Sequence, residues 1–248
     1  MKKYITIIAI FAFLGIAAIL FKVGSHSLTP GKSLEANAVS EKGIENTTIS
    51  EDMITLPEPI RDSGVSVEEA LRLRRSIRSY KDEPLTLEEV SQLLWSAQGV
   101  TNERGFRTAP SAGATFPLEM FLVVNDTEDL EQGIYHYHPD EHQLELLRKE
   151  DVSSPLYRAC LSQSMVRDGG AVLVFAAVFE RTTDRYGERG ERYVYNEIGH
   201  ASQNVHLQAA ALDLGTVVIG AYRDEEVESI LELGDQYRVL YLMPVGKL

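Results

Sequence analysis

The chain has 248 residues, with 24 Lys and Arg against 37 Asp and Glu and a formal net charge of -13. This acidic balance excludes the extended basic surface that general nucleic-acid binding needs. Hydrophobic residues make up 44% of the chain, enough for a sizeable core, and the single Cys160 excludes an internal disulfide. Cys160 reads as a small buried apolar residue.

The first element is an apolar run, "MKKYITIIAIFAFLGIAAILFK", uncharged from Tyr4 to Phe21 and flanked by Lys2, Lys3 and Lys22. At about 1.5 Å per residue such a run nearly matches a hydrocarbon core of roughly 30 Å. Residues 1–24 are therefore expected to form a membrane anchor or signal segment. The following "KVGSHS" is a poor cleavage site, which favours an uncleaved single-pass transmembrane helix. The leading lysines favour a cytoplasmic N-terminus and hence an extracytoplasmic domain. Residues 25–55 are polar, lack sustained periodicity and read as a flexible tether.

The folded part is expected over 56–248. "LPEPI" stiffens its entry, and "SVEEALRLRRS" has Ser66 and Glu69 spaced as a capping box at the start of a helix. A second box, Thr86 with Glu89, opens "TLEEVSQLLWSAQG", whose apolar residues keep helical spacing until Gly99. The Gly/Pro/Ser-rich stretch 103–117 is a loop. "LEMFLVV" then reads as a strand, "GIYHYH" with "QLELL" as a hairpin, and "AVLVFAAVF" as a fully buried strand. A long helix over 192–214 follows. Strand "TVVIGAY", helix "DEEVESILEL" and strand "YRVLYLMPVG" complete the chain. Mixed helices and strands of this kind imply an α+β fold with a helix-covered sheet.

Chemistry is less obvious. The chain has no G-x-S-x-G elbow, no H-E-x-x-H, no Walker loop and no G-x-G-x-x-G after the first strand. His136 and His138 in "YHYHPD" share a strand face, but no third metal ligand is arranged with them in the linear sequence. His200 and His206 lie six apart on the long helix, and all four read as structural. What remains is "RRSIR", which offers three guanidinium groups and the Ser76 hydroxyl within five residues. A phosphomonoester needs several donors at once, and arginine supplies a planar fork for it. Taken alone, such a run is more simply a solvated helix face.

Six ordered stretches carry a family resemblance: "RRSIRSY", "LLWSAQGVT", "TAPSAGATFPLEMFLVV", "GIYHYHPDEHQLELL", "NEIGHASQNVHLQAAALDLGTVVIGAY" and "MPVGK". Together they resemble the FMN-dependent nitroreductase family and, within it, the SagB-type (thiazole/oxazole-forming) dehydrogenases. The resemblance implies a mostly antiparallel central sheet covered by helices, a two-fold homodimer and FMN as cofactor. It places the FMN phosphate and ribityl chain at Arg74, Arg75, Ser76 and Arg78. It places Pro110, Ser111, Ala112 and Gly113 along the flavin, and a backbone N–H of Val218, Ile219 or Gly220 toward its ring. Lys247 would close the phosphate site, while Gln203 and Asn204 fall where the family packs helix against dimer mate.

The resemblance further implies two-electron transfer between flavin and a small or peptidic substrate, with NAD(P)H as an electron donor. SagB-type members use a Lys–Tyr pair for proton abstraction, but this chain has no lysine between Lys149 and Lys247. Tyr186 and Tyr193, with arginines beside them, are the weak candidates for proton transfer. Azoline oxidation and reduction of a nitro or quinone acceptor both stay open. The alternative reading is a membrane-tethered, non-catalytic flavin-binding module in a peptide-maturation or transport complex.

Overall fold

A computed structural model of the chain describes residues 52–248. Seven strands form one fully antiparallel sheet in the order β1-β4-β3-β2-β5-β7-β6. In chain order these are β1 Met53–Thr55, β2 Leu118–Val124, β3 Gly133–His138, β4 Gln143–Arg148, β5 Ala171–Ala177, β6 Leu214–Thr216 and β7 Arg238–Lys247. The helices are α1 Val67–Leu73, α2 Leu87–Gln98, α3 Ser153–Ala159, α4 Met165–Asp168, α5 Glu180–Tyr186, α6 Arg189–Ala211 and α7 Asp224–Leu231. The expected α+β class with a helix-covered antiparallel sheet is what the chain adopts.

Both faces of the sheet are covered, which explains the unbroken apolar run of β5. Leu173 and Phe175 join a core with Leu93, Leu94, Ile198 and Val205 from α2 and α6. Val172 and Val174 point the other way, into a core with Leu156, Val166 and Val227 from α3, α4 and α7. With both faces buried, no position on the strand favours a polar residue. Cys160 lies in the second core, and burial pushes its thiol up to about 12. That agrees with its apolar reading.

The helix starts follow their caps. Ser66 Oγ accepts from the Glu69 N–H at 3.1 Å, but the Glu69 carboxylate turns to Arg72 instead of closing a box. At α2 the box is complete, with Thr86 and Glu89 bonded in both directions and Gly99 as C-cap. The long helix starts and ends three residues earlier than its expected bounds. Asp213 adopts a left-handed φ of 57°, which turns the chain so that Leu214 opens β6. Of the expected strand "TVVIGAY", residues 216–222, only Thr216 lies in β6, which covers Leu214–Thr216, and the rest meets β7 only at the Ile219–Leu242 bridge. Helices α3, α4 and α5 were not expected; none has a capping side chain at its N-cap residue, although Asp151 Oδ1 accepts from the Ser153 N–H at the start of α3. At the amino end, Met53–Thr55 pair with β4 and so belong to the sheet, not to a tether.

The membrane assignment is corrected. Among the described residues no helix is long and apolar enough to cross a membrane. The segment 1–24 that prompted the assignment, and the tether up to residue 51, lie outside the described residues. The expected transmembrane helix, and the extracytoplasmic placement that rested on it, thus have no support among the described residues.

Candidate active site

The arginine run does not continue α1. Helix hydrogen bonding stops at Arg74, whose N–H is bonded to Ala70 O, and the chain then runs along the sheet edge. Ile77 N–H donates to Thr216 O of β6 at 2.9 Å, and Lys81 N–H to Lys247 O of β7 at 3.0 Å. Between them the Tyr80 ring lies across Gly215 and Gly246, and its hydroxyl bonds to Pro244 O at 3.1 Å. A Cβ at Gly246 would stand 2.5 Å from Tyr80 Cγ, so only glycine admits this ring.

The arginines separate by partner. Arg72 is held by Glu69 through two hydrogen bonds. Among the described residues Arg74, Arg75 and Arg78 pair with no carboxylate, although the chain is acidic; Arg75 donates only to the carbonyls of Arg72 and Arg74. Ser76 is exposed beside them. Lys247 is committed elsewhere, its Nζ lying 2.5 Å from Glu89 Oε1.

The same edge leads into the second predicted segment. Ile219 exchanges both backbone hydrogen bonds with Leu242, at 2.8 and 3.0 Å. Its N–H is therefore taken. The N–H groups of Val218 and Gly220 have no acceptor among the described residues, and Gly220 is exposed. Because Thr216 holds Ile77, the unpaired guanidinium groups and these free N–H groups stand on neighbouring segments.

The loop 110–114 forms a second cluster. Gly113 adopts φ 62° and Ala114 φ 54° within a short 3-10 turn. The Ser111 hydroxyl accepts from Phe116 N–H at 3.0 Å and fastens the turn. Arg185 of α5 donates to Gly113 O at 2.8 Å, and a Cβ on Gly113 would stand 2.4 Å from the Tyr186 hydroxyl. Tyr186 and Tyr193 meet edge to face, centroids 5.1 Å apart. The two candidate tyrosines and the loop are thus one group, and Arg185 is the residue that joins them. Pro110 is exposed, as is Gln203; Asn204 is partly buried and donates to Thr108 O.

Glu197 was not anticipated. It sits on the buried stripe of α6 between Val194 and Ala201, 2% exposed, with Oε1 lacking any partner among the described residues. Burial raises its carboxyl pKa to about 7, against the pull of the Ser111 hydroxyl and the Arg107 guanidinium. Arg107 also stacks on Phe116 and donates to Gln98. A charged residue in an apolar helical stripe is the signal that a sequence reading could have used. Nine residues along α6, or about 13–14 Å, buried His206 lies near Arg74; burial, aided by that charge, lowers its pKa. One helix therefore backs both clusters.

The sequence profile described as "Nitroreductase family" matches residues 71–247. The chain belongs to the nitroreductase family. A Methanocaldococcus jannaschii protein assigned to nitroreductases is 48% identical over 183 residues, covering 74% of this chain and 91% of that protein. A nitroreductase-family crystal structure from Ralstonia eutropha superposes with a TM-score of 0.68 at 30% identity, over 80% of this chain and 90% of the other. The Escherichia coli microcin B17-processing protein McbC is 31% identical over 69% of this chain, which spans 65% of McbC. The SagB-type likeness within the nitroreductases is thus present beside the general one. All six stretches that carried the resemblance lie within or just beside the matched range.

The raised Glu197 pKa has a definite sign. The folded protein holds this proton to a higher pH than the unfolded chain, whose carboxyl titrates near 4.5. Its contribution to stability is therefore fully present below about 4.5 and declines as the pH rises to about 7. Glu197→Gln should flatten that decline, gaining roughly 1–3 kcal/mol on wild type between pH 5 and 8. Urea unfolding at both pH values measures it; parallel pH profiles for the two proteins would show that Glu197 is not held protonated.

Proposed function

We propose that this nitroreductase-family oxidoreductase is an FMN-dependent enzyme of SagB type, moving two electrons between bound flavin and a small or peptidic substrate. The observation that carries the proposal is the set of three guanidinium groups, Arg74, Arg75 and Arg78, that lack a carboxylate partner among the described residues. The Ile77–Thr216 hydrogen bond sets their segment next to the one that carries the free N–H groups of Val218 and Gly220. This donor set fits a phosphate dianion with an electron-rich ring system next to it. FMN, when bound, supplies the hydride chemistry, which accounts for the lack of a nucleophile motif.

In this reading Arg74, Arg75, Ser76 and Arg78 hold the phosphate and ribityl chain. Lys247, kept by Glu89, takes part only by leaving that carboxylate. Val218 and Gly220 donate to the ring, and Ile219 positions them through its bridge to Leu242. Pro110, Ser111, Ala112 and Gly113 admit the ring closely because their side chains are small or absent. The loop serves the partner subunit's flavin in a homodimer. In support, Val67, Leu71 and Leu73 of α1 and Phe106 expose 65%, 52%, 43% and 54% of their surface.

Arg185, which cannot act as a base, stands beside Tyr186 where a Lys–Tyr pair would abstract a proton. That favours reduction, with Tyr186 giving a proton to the acceptor and Tyr193 packed against it. The likeness to McbC, a processing protein, supports a peptidic acceptor, with NAD(P)H as electron source.

Three outcomes test this reading. Arg78→Ala should weaken FMN binding by roughly 10–100-fold, the worth of a charge-assisted hydrogen bond, whereas Arg72→Ala should leave it nearly unchanged. Flavin absorbance retained after gel filtration measures both, and equal losses would remove the phosphate assignment. Tyr186→Phe should keep FMN but slow substrate reduction about 100-fold or more; an unchanged rate would clear Tyr186 of proton transfer. The flavin-loaded protein should sediment at twice the 27.7 kDa chain mass, and a flavin-saturated monomer would refute the shared site.

A further inference from the structure

The far end of the sheet carries a group that the flavin reading does not use. On the face shared with α3 and α7, Phe121 and Val123 of β2 and Ile134 of β3 are buried in the second core, whereas Glu119, His136, His138 and Glu145 farther along the strands are polar. His136 and His138 point to one face of β3, as residues two apart on a strand must. His136 is opposite Glu145 of β4 on one side and Phe121 of β2 on the other. Folding therefore supplies the third group that the linear sequence did not show. His136, His138 and Glu145 can each present one ligating atom so that all three lie within 4.8 Å of one another.

The surroundings hold these groups in place. Phe121 stacks under His136, with centroids 4.5 Å apart and planes 18° from parallel, and the two imidazoles are 4.6 Å apart. His138 Nε2 is 2.9 Å from Glu145 Oε2. His136 Nε2 is 2.8 Å from Glu119 Oε2, and Glu119 is anchored by Arg181 at 2.6 Å. Burial alone would raise the Glu119 pKa, but the His136 hydrogen bond and Arg181 outweigh it, so its carboxylate is held ionised. The side chains of His136 and Glu119 are 15% exposed, that of His138 31% and that of Glu145 41%. The cluster is thus supported from beneath and open to solvent on one side.

We propose that His136, His138 and Glu145 form a binding site for a divalent transition ion of the zinc class. Two imidazoles and one carboxylate are the donor set that such ions take; imidazole nitrogen suits Zn2+ and Ni2+, whereas Mg2+ prefers a shell of oxygen donors and water. Glu119, bonded to His136 and fixed by Arg181, orients that imidazole as a carboxylate behind a ligating histidine does. Three protein groups leave one coordination position to water. Bonds of about 2.0–2.1 Å in a tetrahedral site need ligand atoms roughly 3.4 Å apart. The donors, within 4.8 Å of one another, close to that spacing by side-chain rotation, the ion replacing the His138–Glu145 hydrogen bond. None of these residues belongs to the proposed flavin site, so the two readings stand or fall separately.

The test uses the full chain, treated with chelator and dialysed. Isothermal titration with ZnCl2 should give one ion per chain, with a rise in melting temperature from binding to the folded state alone. Titration with CoCl2 should give the visible absorption of a four-coordinate site. Glu145→Gln, a half-exposed change that keeps size and shape, should weaken binding at least about tenfold. His138→Ala should do the same, whereas His200→Ala, at an exposed position of α6, should not. Absence of stoichiometric Zn2+ binding to the wild-type chain would overturn the site. So would binding that survives both Glu145→Gln and His138→Ala.

Discussion

The two backbone hydrogen bonds from Ile77 to Thr216 and from Lys81 to Lys247 set the geometry on which the candidate active site depends. Without them Arg74, Arg75 and Arg78 would fan around a helix axis and meet solvent. With them the chain after α1 becomes an added edge along β6 and β7, and the segment that carries the three arginines neighbours the one that carries Val218–Gly220. Tyr80 secures this edge by lying across two glycines, Gly215 and Gly246, which leave room for its ring. An electrostatic feature of the sequence thus acquires a location through backbone pairing and side-chain packing.

Helix α6 is the second organising element. Its apolar stripe packs against the sheet and α2, yet it carries Glu197 behind the 110–114 loop and His206 near Arg74. Each bears a buried side-chain atom without a partner among the described residues. Unpaired buried polar atoms cost stability, and proteins keep them most often where function requires them. Their placement behind the two clusters proposed for flavin is consistent with that rule.

Much of the fold was legible in the sequence. The box of Thr86 and Glu89 marked α2, the apolar run of β5 marked a strand buried on both faces, and the order of elements implied an α+β sheet. Short helices were harder to find. The helices α3, α4 and α5 have no N-cap side chain to announce them; α3 and α4 form because the second core needs their Leu156 and Val166, and α5 because it packs against α6. At the end of α6, local periodicity overran the true boundary because Asp213 in a left-handed conformation decides it.

For the site, residue type was readable where the chemistry is local. Arginines with a serine at short spacing, a small-residue loop and paired tyrosines are visible in the linear chain, as is the departure from a Lys–Tyr pair. The sequence by itself therefore determined the fold class, the family resemblance and the supply of donors, because these rest on periodicity, capping and composition over short windows. Only the tertiary structure decided which arginines are free, which N–H groups lack acceptors, that Arg185 joins the loop to Tyr186, and that Glu119 and Glu145 stand beside His136 and His138. Each of those facts is a meeting of residues distant along the chain, and antiparallel register and side-chain packing alone bring them within hydrogen-bond range.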